Sequence, residues 1–570
     1  MSDAAANTAA ELHRQGAQLR ERAQYAAAER SLLRALQLEH DFAAAHFELA
    51  LTYRDQGKLE DAADYFQLAA HFAPEFAAAS FELAETLVKL ERAEAALAAY
   101  RQALARDGRH GAAWRGLGNL LKTGGELNEA IDCYRSAVEC APASADARGR
   151  LAYALYRAGR YAEARRSFDA ALALEPNWLE AHHNLGLLLL ETGEPAAALQ
   201  SFERARALGP DVVETRACVA HALRDLGRLD EAVAHYDAVL ARSPQFADAV
   251  INRSYALLMR DDYAAGWGAY AQRFASGAMV ARGFPYPEWQ GQPLAGKRLL
   301  VYAEQGLGDE IMFASCLPDL LRTGAHCVIE CNTRLTALFQ RSFPQASVHG
   351  ADKNDDKHWL KNLPPVDFQA AIGSLPQYLR RSRADFPARG GYLVADAQRS
   401  GAWRRKLAAG TALRVGIAWR GGTPRSRQFV RSTALPQWLP ILRGTGATFC
   451  ALQYGDIAAE LEELRAQTGI AVAQLGAAVN DLDELTAIIG ALDLVISIDN
   501  TVAHVAGALG QAVWTLLPDS PEWRYPRRGT AMPWYPSMRL FHRAGGETWP
   551  PVIERVAAEL AGLAARGRES

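Results

Sequence analysis

The sequence predicts an α plus α/β protein, a helical-repeat superhelix followed by two Rossmann-like domains, and three observations carry that prediction. A period of 34 residues runs through the first half. Short β-branched apolar runs alternate with helical stretches through the second. Between them lies GFPYPEWQGQPLAGK, a segment rich in Pro, Gly and aromatics that breaks the period and reads as a linker strapped to the next domain. At 570 residues the chain is too long for a single core.

The repeat markers align without gaps. Small residues recur at Gly16, Ala50, Ala84, Gly118, Ala152, Gly186, Ala220 and Ser254, and again at Ala28, Ala62, Ala96, Ala130, Ala164, Ala198, Ala232 and Gly266. Four residues after the second set comes an aromatic, at Phe66, Tyr100, Tyr134, Phe168, Phe202, Tyr236 and Tyr270, and proline closes most units. Small residues let paired helices approach, the aromatic fills the gap between units, and proline stops the second helix. About eight helix-turn-helix units result over residues 1–280, a pattern that resembles the tetratricopeptide repeat. Such arrays hold extended peptides on a concave face lined by the first helices. Where the repeats of eukaryotic O-linked N-acetylglucosamine transferase carry an asparagine ladder, this chain has Glu48, Glu82, Gly116, Arg150, Asn184, Cys218 and Asn252. Only two match, so the expected partner is a defined protein surface or segment.

After the linker (281–297), strands are expected at 298–303, 327–331 and 368–372, and then at 413–419, 448–453, 494–498 and 513–517. They divide into one Rossmann-like domain over 298–408 and a second over 409–548, followed by a C-terminal helix over 549–570 that docks back.

The chemistry is expected at residues 493–504, DLVISIDNTVAH. A buried strand here ends in Asp499, Asn500 and Thr501 at a helix start, the place where open α/β sheets bind ligands and where a helix end attracts phosphate. Asp499 is either an N-cap or a ligand contact, and His504 either a packed residue or one facing the ligand. The first strand of the other domain leads into Gln305, Gly306, Leu307, Gly308 and Asp309, a tight glycine turn in which Asp309 is either a cap or a carboxylate aimed into a cleft. A loop bearing Arg420, Arg425, Arg427 and Arg431 suits a diphosphate, because guanidinium forks match phosphate oxygens.

The motifs EQGLGDEIMFA, VGIAWRGG, ALQYGD, DLVISIDNTVAHVAGALG and PEWRYPRRGTAMPWYPSMRLF together resemble bacterial proteins that join tetratricopeptide repeats to a GT-B glycosyltransferase domain of the heptosyltransferase type. The resemblance implies that Asp309 acts as base toward the acceptor, with Gln305, Gly306 and Gly308 forming the acceptor-side loop. It places Asp499, Asn500, Thr501 and His504 around the donor phosphates, with Gln453, Arg420 and Arg431 beside them. Asn500 and Thr501 depart from the family's usual Thr and Gly. Some proteins of this build glycosylate flagellin, and the expectation is an enzyme moving a sugar from a nucleotide donor to Ser or Thr of that protein, held by the repeats. The rival readings are a glycan or lipopolysaccharide acceptor, and a non-catalytic repeat scaffold.

Composition bounds the alternatives. A net charge of −3 at pH 7 gives no overall basic excess for nucleic acid. The N-terminus lacks a basic flank with an apolar core, and no run of eighteen apolar residues follows, so a cytoplasmic protein without a membrane span is expected. No histidine cluster suggests a metal, and no metal or cofactor is expected beyond the nucleotide-sugar substrate. The seven cysteines include no Cys-x-x-Cys pair and read as buried thiols.

Overall fold

A computed structural model describes residues 3–352, 357–407, 412–422, 428–443 and 446–569. It divides into two compact units, Met1–Leu188 and Leu189–Ser570.

The first unit is built of antiparallel helix pairs, such as Ala43–Asp55 with Leu59–Phe72 and Ala77–Lys89 with Ala93–Arg106. The periodic residues do the packing: Ala50, Ala62, Ala84, Ala96, Ala130 and Ala164 are fully buried, and so are Phe66 and Tyr134. At Gly118 a Cβ would lie 2.9 Å from the Tyr134 ring, so glycine sets how closely the helices approach there. Positions 23, 57, 91, 125, 159, 193, 227 and 261 form a further periodic set, the turn between the two helices of each unit, all with positive φ. Glycine holds five of them, while Ala23, Glu91 and Asp261 occupy the strained left-handed region without it.

The ladder position has a use the sequence did not suggest. Arg20 reaches Glu48 at 3.0 Å, Arg54 pairs with Glu82, and Arg150 donates to Asn119 Oδ1 at 3.2 Å. These side chains bond the neighbouring unit, so they are not a row of free groups facing a peptide.

The second unit carries the remaining repeats and two parallel sheets. The first sheet contains β1 (Arg298–Tyr302), β2 (His326–Cys331), β3 (Ser347–Gly350) and β4 (Phe368–Ala371) in the order β3-β2-β1-β4. The second contains β5 (Arg414–Ala418), β6 (Thr448–Ala451), β7 (Ala473–Gln474), β8 (Leu494–Ile498), β9 (Val513–Leu517) and β10 (Met538–His542) in the order β10-β9-β8-β5-β6-β7. Counted from β5, the second is the doubly wound order 3-2-1-4-5-6, and its direction of winding reverses between β5 and β8. The expected strands all form. Sequence reading missed β3, β7 and β10, which are short or carry polar residues, as edge strands do.

The linker straps onto the first sheet as expected, with Trp289 N–H donating to Gln369 O at 2.7 Å and Gln369 N–H to Pro287 O at 2.9 Å. The helix Trp549–Glu569 buries Val552, Ile553, Val556 and Leu560 in the second sheet's core with Trp438 and Ile441. One apolar core joins Leu258, Tyr263, Trp267 and Tyr270 of the eighth repeat to both α/β domains. Trp267 is 1% exposed and donates through its indole to Arg380 O at 2.9 Å. Arg273 and Glu304, both without side-chain exposure, form a two-pronged ion pair at 2.7 and 2.8 Å. The compact division therefore falls inside the repeat array and not at residue 280, because the last repeat shares the core of the α/β half. All seven cysteines are free thiols, and among the described residues no helix is long and apolar enough to cross a membrane.

Candidate functional site

The C-terminal ends of β5 and β8 are the point where the second sheet's winding reverses, and a cleft of about 490 Å³ opens there against the first sheet's domain. Gly421 lets the two chain exits meet, since a Cβ on it would lie 2.7 Å from Asp499 O. Nine of the residues singled out from sequence line the cleft: Gly308, Asp309, Arg420, Arg431, Gln453, Asp499, Asn500, Thr501 and His504. Arg425 and Arg427 lie outside the described residues.

Gln305 and Gly306 stand apart from that lining. The Gln305 amide bonds Tyr270 OH of the eighth repeat. Gly306 is the N-cap of the helix Leu307–Phe313, without a side-chain cap. Asp309 is therefore not a cap, and its carboxylate instead takes a bond from Arg524 Nη2 at 2.6 Å. Glu304, five residues earlier, is locked by Arg273 and Gly373 N–H and does not line the cleft, so it offers no second route for a proton.

On the opposite wall the N-cap is Asn500, not Asp499. Its Oδ1 accepts from Val502 N–H at 3.0 Å and Ala503 N–H at 3.3 Å, and its Nδ2 donates to Arg420 O at 3.1 Å. Two of the helix donors that a phosphate would use are thus already engaged. Asp499, 1% exposed, has its carboxylate 2.9 Å from Arg431 Nη2, and the same guanidinium donates to Asp499 O at 2.8 Å. Arg431 also pairs with Glu522 at 3.3 Å, and Arg420 with Glu460 at 2.6 Å. Gln453 acts on the backbone, its Oε1 accepting from Trp419 N–H at 3.1 Å and Arg420 N–H at 2.7 Å, and so it shapes the exit of β5.

His504 is 3% exposed, and its Nδ1 lies 2.9 Å from Tyr535 OH. Gly507 makes room for that tyrosine, because a Cβ there would sit 2.5 Å from its ring. Gly308 packs on the other edge of the imidazole, 3.1 Å from His504 Cδ2 to a Cβ placed on the glycine. Burial first, and then the Arg524 charge, lower the histidine's pKa to about 3. The folded protein therefore refuses a proton that the unfolded chain accepts below its ordinary value of 6.5. Stability from this residue is complete above that value and declines as pH falls toward 3, by about 1.4 kcal/mol per pH unit. Urea melts of wild type and His504→Gln between pH 7 and 4.5 should diverge, the variant losing less stability on acidification. Parallel curves would contradict this.

Sequence reading missed Arg524, Glu522 and Tyr535. They come from the segment after β9, which has no regular structure between Pro518 and the start of β10 apart from an isolated bridge at Ala531. The signal available was its density of Trp, Tyr, Arg and Pro in an otherwise loop-like stretch. Among the described residues, no group of three or more His, Cys, Asp or Glu is placed to hold a metal ion.

Against this geometry, comparison with known proteins gives the following. The tetratricopeptide repeat family model matches residues 14–79, 81–145, 150–212 and 220–278. Protein FlbA of Caulobacter vibrioides (strain ATCC 19089 / CIP 103742 / CB 15) is 34% identical over 377 residues, which is 61% of this chain and 61% of that protein. The chain thus spans about three fifths of the length of that relative. Among solved structures, YrrB, described as a TPR protein with an unusual peptide-binding site, is 21% identical, with 32% of this chain and 95% of that one covered and a TM-score of 0.31. A tetratricopeptide repeat protein from Parabacteroides merdae ATCC 43184 is 19% identical, covering 41% and 93%, with a TM-score of 0.32. The periodic first part of the chain is built of tetratricopeptide repeats.

Proposed function

We propose that the chain is a protein O-glycosyltransferase of GT-B build, moving a sugar from a nucleotide-activated donor to a Ser or Thr hydroxyl of a protein acceptor, flagellin, which the repeats hold. The single observation that carries this reading is the meeting in one cleft of a carboxylate from the first sheet's domain, Asp309, with arginines and a helix start from the second, at that sheet's switch point. In this reading the acceptor oxygen bonds to the sugar carbon as the bond from that carbon to the donor phosphate breaks. Asp309 takes the hydroxyl proton, and the leaving phosphate is neutralised by arginine without a metal. Because Asn500 occupies two of the helix donors, Arg431 and Arg420 carry more of that charge than the helix does, aided by Thr501. The resemblance of the second-half motifs to GT-B transferases supports the chemistry, and the repeats support a protein over a glycan acceptor.

The test is the intact mass of flagellin from cells with and without this protein. Its loss should lower the flagellin mass by whole sugar residues, and re-expression should restore it. An unchanged mass together with altered lipopolysaccharide would shift the acceptor to a glycan. No change in either would leave the repeat scaffold as the better reading.

A further inference from the structure

Three guanidinium groups and three carboxylates face one another among the described residues of the cleft: Arg420, Arg431 and Arg524, and Asp309, Asp499 and Glu522. Arg431 holds Asp499 at 2.9 Å and Glu522 at 3.3 Å, so one cation there answers two carboxylates. Arg420 pairs at 2.6 Å with Glu460, which is not part of the lining. Arg524 reaches across to the first sheet's domain, its Nη2 2.6 Å from Asp309 Oδ1. That contact brings it to the junction of the two walls, because Gly308, next to Asp309, packs on His504 in the first turn of the helix Thr501–Ala508. Among the described residues the bond to Asp309 is its single hydrogen bond. Its buried Nε makes none, and the guanidinium carbon stands 5.5 Å from the centre of the Trp523 ring. Burial works against the charge of Arg524, and the carboxylates of Asp309, Glu522 and Asp499 outweigh burial and keep it ionised.

We infer that Arg524 is a donor-phosphate ligand that doubles as a lock on the base: it neutralises Asp309 until a nucleoside diphosphate sugar binds, then turns to the diphosphate and leaves the carboxylate to the acceptor hydroxyl. This rests on the reading of the cleft as a glycosyltransferase donor site, and it deepens that reading by tying release of the base to arrival of the donor. Charge balance carries the argument. With cations and carboxylates matched in number, the lining holds no surplus positive charge for a diphosphate, so a guanidinium has to change partner. Arg431 cannot do so without stranding Asp499, which is 1% exposed. Arg524 gives up one bond, and the carboxylate it leaves faces the cleft, where it takes up the hydroxyl proton. The freed planar fork matches two phosphate oxygens.

Inorganic pyrophosphate is the probe, since it presents a diphosphate without base or sugar. Its affinity is measured by calorimetry on full-length wild type, Arg524→Gln, Asp309→Asn and the double variant, each checked for a cooperative melt. Arg524→Gln should weaken binding by about tenfold to a hundredfold, the loss of a hydrogen bond to a charged group. Asp309→Asn should tighten it by about threefold to tenfold, because a neutral amide competes less for the guanidinium. The double variant should bind like Arg524→Gln. Unchanged affinity in Arg524→Gln overturns the ligand role. Equal tightening by Asp309→Asn with and without Arg524 is plain relief of repulsion and overturns the lock. If Arg524→Gln does not melt cooperatively, the double variant compared with Asp309→Asn measures the same loss with no stranded carboxylate. An arm with UDP, GDP, ADP and CDP tests the source of the diphosphate: a nucleotide site binds one of them more tightly than pyrophosphate, and preference for the free anion overturns the inference. Wild type that binds neither pyrophosphate nor any nucleotide brings down the donor-site reading and the inference together. A cycle that fits, with flagellin mass unchanged in cells lacking the protein, keeps the Arg524 contact and refutes the transfer. Modified flagellin with a failed cycle does the reverse.

Discussion

Asp309→Asn should lower the transfer rate by about 10² to 10⁴, or roughly 2.7 to 5.4 kcal/mol of barrier, the usual loss when a general base is removed. Donor binding should survive, because Arg431, Arg420 and Asp499 belong to the other domain. The substitution also removes the counter-charge of Arg524, whose side chain is 13% exposed, so the single variant should lose stability as well. Breaking a buried pair from one side costs about 3–5 kcal/mol. A rate loss alone would then be ambiguous. The double variant Asp309→Asn with Arg524→Gln removes both charges, and it should recover most of the melting temperature and none of the rate. Transfer, donor affinity and melting are to be measured on the same preparations. Near-wild-type transfer by a double variant that melts normally would take Asp309 out of the mechanism.

The second large effect is on folding. Trp267→Ala empties a site in the shared core and removes the indole's bond to Arg380 O, and it should cost about 3–5 kcal/mol. Cutting the chain to residues 297–570 goes further, since it deletes Trp267 and Tyr270 and leaves Glu304 buried without Arg273. That fragment should not give a cooperative thermal transition by circular dichroism. A fragment of residues 189–570 keeps the whole core and should melt cooperatively. If the shorter fragment melts like the longer one, the last repeat is an accessory to the α/β half and not part of its core.

The parts of this fold written in local chemistry were readable from the chain. The 34-residue spacing of alanines and aromatics encodes contacts that recur within one unit, and β1, β5 and β8 are buried on both faces, so their sequences are nearly continuous apolar runs. Cleft membership was readable too, because the turns at 305–309 and 499–501 follow such strands. What each residue does there was less so. The capping role passed from Asp499 to Asn500 and from Asp309 to Gly306, a matter of one to three residues in where a helix begins. Arg524 pairs with Asp309 across 215 positions of sequence, and no periodicity or spacing signals such a contact. The periodic left-handed turn escaped notice because Ala23, Glu91 and Asp261 interrupt its glycines.

Between Pro521 and Pro526 the chain makes a turn, closed by Tyr525 N–H on Glu522 O at 2.9 Å, that sends carboxylate to Arg431, indole to the eighth repeat and guanidinium to Asp309. Such a stretch tolerates change of identity better than change of length. Aspartate in place of Glu522 shortens a reach by one carbon, and phenylalanine in place of Trp523 keeps an aromatic face. A single inserted or deleted residue breaks that turn and moves the side chains beyond it off their partners, bringing an indole among ions or a bare charge among rings. As this chain diverges, substitutions should accumulate in the segment while gaps in an alignment of its descendants fall elsewhere, in the loops that touch neither the cleft nor the eighth repeat.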